Sequence, residues 1–89
     1  MHFLSPLLES YIAKNSESEP AILTELTRET HLKVVQPRMI TGHFQGRVLS
    51  MLSKIISPKF ILEIGTYTGY SAICLAEGLQ KSGELHTIE

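Results

Sequence analysis

Eighty-nine residues, 43% of them hydrophobic and 19% charged, leave room for one modest core and exclude a disordered polymer. Eight basic against nine acidic residues give a formal charge of −1, which offers neither nucleic acid nor an anionic membrane an electrostatic footprint. A single cysteine excludes an internal disulfide framework and a cysteine-rich zinc site, and it fits a reducing compartment.

The first nine residues are apolar but lack a basic start, and Pro6 and Glu9 interrupt them too early for a secretory signal. Nothing reaches the ~18 apolar residues of a membrane span. A soluble, cytoplasmic protein is expected. Ser5-Pro6 predicts a helix start, a hydroxyl cap followed by proline in the first turn. Leu7, Leu8, Tyr11 and Ile12 form its apolar stripe. Ser18-Glu19-Pro20 repeats the signal, and Ile22, Leu23, Leu26 and Thr30 carry helical spacing to about Lys33. Val34-Val35-Gln36-Pro37 is expected to be extended, because a residue before proline is pushed out of the α region.

Thr41-Gly42 opens a third helix with an apolar face of Phe44, Val48, Leu52, Ile55 and Ile56, closed by Ser57-Pro58. Phe44, Met51 and Leu52 read as core. Phe60–Ile64 is a short apolar run that Gly65 and a new helical pattern from Tyr70 mark as a strand. Ala72, Leu75, Ala76 and Leu79 give the following helix its expected buried face, with Ser82-Gly83 as its stop. Leu85–Ile88 reads as a second strand. Strand, helix, strand with both strands apolar is a βαβ unit, hence parallel. The chain breaks off at Glu89 inside what reads as a buried strand, so an N-terminal piece of a longer protein is expected.

The chemistry concentrates in residues 61–71. Gly65, at the carboxyl end of the first strand, lets a ligand approach the backbone, and ligands of open α/β sheets lie in that crevice. The helix that follows turns unpaired N–H groups toward it. An ordinary strand-to-helix turn would need the same glycine, so three details matter. The spacing from Gly65 to Gly69 is four, and the middle glycine of the diphosphate-wrapping Gly-x-Gly-x-x-Gly pattern is missing. Glu63 would repel a diphosphate but suits an ammonium or sulfonium group. Glu89 ends the second strand, where a carboxylate can accept from both hydroxyls of a ribose. A cationic amino acid joined to a nucleoside meets these demands, and S-adenosylmethionine is such a molecule.

The stretch Glu63-Ile-Gly-Thr-Tyr-Thr-Gly-Tyr-Ser71 resembles the cofactor motif of the O-methyltransferases related to the catechol and caffeoyl-CoA enzymes. Similarity extends through Met39–Gly46 upstream and Leu85–Glu89 downstream. The Glu-x-Gly core is shared by many methyltransferases, whereas the Gly-x-Tyr-x-Gly-Tyr-Ser form is more specific. The resemblance implies an α/β, Rossmann-like methyltransferase fold, here incomplete. One domain would span 1–89, with N-terminal helices over 1–57 and the first strand–helix–strand of the cofactor sheet over 58–89.

It further implies that Glu63, Gly65, Thr66 and Tyr67 line the methionyl part of the cofactor. Ser71 would bind its amino-acid end, Glu89 its ribose and Thr41 would make a backbone contact, while Met39 would lie near the methyl group and the acceptor. The acceptor would be a small hydroxylated aromatic. A divalent metal such as Mg2+ is implied as well, but its ligands and the catalytic base fall outside these residues. In such families the N-terminal helices cover the acceptor pocket and contribute to a homodimer.

The remaining candidates read as structural. His2, His31, His43 and His86 have no carboxylate or cysteine at ligand spacing, although His43 borders the Thr41-Gly42 segment. Cys74 reads as a buried, inert small hydrophobe, and Tyr67 and Tyr70 serve equally well as packing aromatics. Glu17, Glu19, Glu25 and Glu29 read as a solvated acidic face. Arg28 and Arg47 read as surface residues, with Arg47 able to reach a partner subunit. Two other classes use the same features: a nicotinamide- or nucleotide-dependent oxidoreductase, against which the missing glycine argues, and a non-catalytic interaction module.

Overall fold

A computed structural model describes residues 4–34 and 39–89. The order is α1 (Pro6–Lys14), α2 (Ala21–Lys33), α3 (His43–Ile56), β1 (Phe60–Ile64), α4 (Tyr70–Ala76) and β2 (Glu84–Ile88). The expected α/β order is therefore present. The Ser5 hydroxyl accepts from the Leu8 N–H at 3.3 Å, capping α1 as its sequence demands. At the other end of the helical region Ser57 adopts a left-handed conformation and its N–H closes α3 on Ser53. Val34 is extended, while the rest of the expected extended segment, Val35–Pro37, lies outside the described residues, as does His2.

β1 and β2 pair in parallel, with Phe60 opposite Glu84 and Glu63 opposite Thr87. The strand expected from Leu85 begins one residue earlier. α4 packs on α3 across an interface of small residues. Gly46, Ser50 and Ser53, spaced i, i+4, i+7, form the buried face of α3. This corrects the expected apolar face: Val48 is half-buried, Phe44, Met51 and Leu52 are about half exposed, and Ile55 and Ile56 are open to solvent.

The reason is distance. A Cβ on Gly46 would sit 2.7 Å from the Tyr70 ring and 2.8 Å from Cys74 Sγ, and one on Gly78 would lie 2.3 Å from the Ser53 backbone. Only small residues permit that approach, and the serine hydroxyls find partners there. Ser53 donates to the Leu75 carbonyl at 2.5 Å and Ser50 to the Glu77 carboxylate at 2.8 Å.

The buried face of α4 is likewise Tyr70 and Cys74, not the expected Ala72, Leu75, Ala76 and Leu79; Ala76 is exposed and Leu79 lies beyond the helix. Tyr70 and Cys74 join Leu23 and Ile40 as the core, with Leu26, Leu49, Tyr67 and Ile73 packed against it. Burial pushes the Cys74 thiol above its ordinary pKa, in line with an inert role.

Two other surface expectations are corrected. Arg47, its side chain only 9% exposed, donates to Glu77 at 2.7 Å and to Glu17 at 2.9 Å. Glu19 accepts from the hydroxyls of Tyr70 and Thr24, tying the start of α2 to α4. Glu17, Glu25 and Glu29 of the expected acidic face stay solvent-facing, paired with Arg47, Arg28 and Lys33.

Candidate functional site

The turn from β1 into α4 alternates positive φ values: Gly65 at 96°, Tyr67 at 50° and Gly69 at 94°. Two of the three are glycines, which adopt that region freely; Tyr67 is held there against its steric preference. What holds it is visible. The Gly65 N–H donates to the Ile88 carbonyl at 2.6 Å, and the Tyr67 N–H donates to Glu89 Oε2 at 2.6 Å. The Tyr67 ring packs on the core. Beyond Gly65 the space is open, since a Cβ there would meet no atom within 4 Å.

The polar groups beside this turn form one chain of hydrogen bonds. The Ser71 hydroxyl donates to Glu63 Oε2. The Thr87 hydroxyl donates to Glu63 Oε1 at 2.9 Å and is also bonded to the Thr66 hydroxyl. The structure thus gathers Glu63, Gly65, Thr66, Tyr67, Ser71 and Glu89 at the carboxyl ends of two parallel strands. Thr87, which no motif singled out, joins them through the register that sets it opposite Glu63.

The other two candidates make no hydrogen bond in this cluster among those the structure shows. Thr41 lines a cavity of ≈ 580 Å³ between α1 and the start of α3, walled by Leu4, Ile12, Phe44 and Val48, and none of residues 63–71 lines it. His43 also lines this cavity, its Nδ1 buried without a hydrogen-bond partner. Met39 is exposed. Among the described residues no three His, Cys, Asp or Glu side chains group to hold a metal ion, and no helix is long and apolar enough to cross a membrane.

An open backbone approach at a glycine, flanked by two carboxylates and three hydroxyls, suits a ligand with cationic and hydroxyl groups. The sequence profile of the O-methyltransferase family matches residues 13–89. The chain belongs to that family. It is 39% identical over 83 residues to a caffeoyl-CoA O-methyltransferase of Petroselinum crispum, covering 91% of this chain and 34% of that one. It is 47% identical over 53 residues to a catechol O-methyltransferase of Niastella koreensis, covering 60% of this chain and 24% of that one.

Among solved structures, an SAH-bound methyltransferase of Podospora anserina superimposes with a TM-score of 0.84 at 32% identity, over 93% of this chain and 36% of that one. An O-methyltransferase of Bacillus cereus in complex with SAH gives 0.82 at 31%, over 93% and 37%. This O-methyltransferase chain spans about a third of the length of these full-coverage relatives. Its fold is the Rossmann-like α/β arrangement of those neighbours, from the N-terminal helices to the second parallel strand.

Proposed function

We propose that residues 58–89 are the first strand–helix–strand of an S-adenosylmethionine site in a single methyltransferase domain whose N-terminal helices are residues 1–57. The whole protein is then an O-methyltransferase acting on a hydroxyl of a small aromatic acceptor. The observation that carries this reading is the pairing of Glu63 and Ser71 beside the open Gly65 turn, with Glu89 at the neighbouring strand end. Glu63 offers a carboxylate to the cofactor's ammonium, Ser71 a hydroxyl to its carboxylate and Glu89 an acceptor to the ribose hydroxyls. Thr66 and Tyr67 border the methionyl part. Thr41 and Met39, on the segment entering α3, complete the cofactor and acceptor sides.

When bound, S-adenosylmethionine supplies a methyl group on a sulfonium that is its own good leaving group, so no covalent protein intermediate is needed. The contribution of these residues is orientation of the methyl donor relative to the acceptor oxygen. The names of the relatives, caffeoyl-CoA and catechol O-methyltransferases, favour a phenolic acceptor; a cytoplasmic homodimer completes the proposal.

Titration calorimetry of the full-length gene product with S-adenosylhomocysteine and with NADH separates this reading from a nicotinamide enzyme. Micromolar binding of the first and none of the second is expected, about −8 kcal/mol on the standard scale. The reverse order would overturn it. Tyr67 argues for the same outcome, because it stands where a dinucleotide-binding turn carries its middle glycine.

A further inference from the structure

Thr87 has no assigned role within the Leu85–Glu89 stretch, yet its side chain touches two of the residues assigned to the cofactor. It faces Glu63 directly across the parallel register. A threonine hydroxyl has one proton. That proton goes to Glu63 Oε1 at 2.9 Å, so toward Thr66 the Thr87 oxygen acts as acceptor and the Thr66 hydroxyl donates. One hydroxyl thereby fixes both a carboxylate and the first side chain after Gly65.

The same counting applies to Ser71. Its single proton is given to Glu63 Oε2, so it cannot also be given to a ligand. On the reading proposed above, binding an amino-acid carboxylate requires Ser71 to turn away from Glu63. That turn frees Oε2 for the ligand's ammonium. Glu63 would then keep one protein donor from this chain of bonds, the Thr87 hydroxyl. We propose that Thr87 is a positioning residue: it holds the Glu63 carboxylate and Thr66 in place while Ser71 exchanges its hydrogen bond from Glu63 to the ligand. The inference rests on the S-adenosylmethionine reading and concerns only the amino-acid end of that molecule.

The test measures dissociation constants of the full-length gene product for S-adenosylhomocysteine and for 5′-methylthioadenosine, which keeps the nucleoside but has no amino-acid end. Thr87→Val preserves shape and removes the hydroxyl, and Thr87→Ser restores it. Thr87→Val should bind S-adenosylhomocysteine about tenfold more weakly, the loss of one hydrogen bond to a charged group. It should hold methylthioadenosine unchanged within about twofold, and Thr87→Ser should recover most of the difference. Thr87→Ala should show the same split, and it decides the matter if the valine variant fails to fold.

Unchanged binding of S-adenosylhomocysteine by Thr87→Val or Thr87→Ala overturns the inference. So does an equal loss for both ligands, which marks a merely structural role. Failure of Thr87→Ser to recover affinity also overturns it. If the unaltered protein binds neither ligand, the S-adenosylmethionine reading itself falls and the inference with it.

Discussion

Gly65 combines a φ of 96° with empty space where a side chain would project. The Cβ of Gly65→Val therefore meets no protein atom within 4 Å, and the main cost to folding is backbone strain, on the order of 1–3 kcal/mol. Its cost to binding is larger, because the valine would fill the space through which a ligand approaches. The fold should survive by circular dichroism while S-adenosylhomocysteine binding is lost in calorimetry; affinity within a few-fold of the unaltered protein would displace the site. Glu89 is a different case. One of its oxygens already accepts from the Tyr67 N–H at 2.6 Å, so the residue supports the turn as well as offering an acceptor to a ligand. Glu89→Ala should weaken binding about ten- to hundred-fold, as expected for a charged hydrogen bond. Ser71→Ala should do less, since its hydroxyl must first leave Glu63. An effect below about twofold at Glu89 would mean that the ligand meets this strand end elsewhere.

The contact between α3 and α4 combines the close packing of Gly46 on Tyr70 and Cys74 with the Arg47–Glu77 ion pair. The Arg47 guanidinium beside Glu77 holds its carboxyl below the ordinary range, with Ser50 and Lys54 in support, against a smaller opposing effect of burial. A folded-state pKa below the unfolded value means that this contribution is present above about pH 4.5 and is lost as pH falls through the lower folded value. Thermal melts of the full-length gene product should therefore show a falling midpoint only on acidification below that range. Glu77→Gln should flatten part of the fall and cost about 2 kcal/mol at neutral pH, the value of a hydrogen bond to a charged group. Parallel curves for the two proteins would remove Glu77 from the account. This same interface shows where sequence reading stops. Most helix and strand limits were legible because their signals are local: Ser5-Pro6, Gly42, Ser57-Pro58 and Gly65 each act on adjacent backbone; the end of α4 was not, since it stops at Ala76 rather than at Ser82-Gly83. The burial of Gly46, Ser50 and Ser53 was not, because the face a helix buries depends on how closely its neighbour approaches. The candidate site divides in the same way. Glu63, Gly65 and Ser71 lie within one strand–turn–helix and could be read by spacing. Thr87 opposite Glu63 is brought in by strand pairing, and the bond from Tyr70 to Glu19 in the α1–α2 connection by packing; neither leaves a mark in local order.

Only four hydrophobic residues among those described are buried, Leu23, Ile40, Tyr70 and Cys74, and one face of the sheet is open. Along β1 the burial alternates, so Phe60, Leu62 and Ile64 project outward at 66%, 66% and 81% exposure, with Ile88 of the partner strand at 55%. Continuous apolar character in a strand implies cover on both faces, and among the described residues nothing covers one of them. The surface is large for the length. Folded monomers of 89 residues scale to about 5,200 Å², whereas this fold exposes 6410 Å². The excess, roughly 1,200 Å² on one chain, exceeds the about 800 Å² that each partner buries in a standard interface. Two paired strands also leave edge groups unsatisfied, which short isolated sheets tolerate poorly. The 89-residue polypeptide by itself should therefore associate with further copies, show no methyl transfer, and bind S-adenosylhomocysteine no better than millimolar, about −4 kcal/mol. Sedimentation velocity over roughly a hundredfold range of concentration reads the association directly, since mass action must shift it. Leu62→Lys places a charge at the centre of the open face and should move the distribution toward monomer without altering the Glu63–Ser71 side of the strand, because neighbouring residues point to opposite faces. If the unaltered polypeptide instead sediments as a monomer at every concentration and binds the ligand at micromolar levels, then the open apolar face is compatible with an independent fold, and the pocket needs nothing beyond the two strands described.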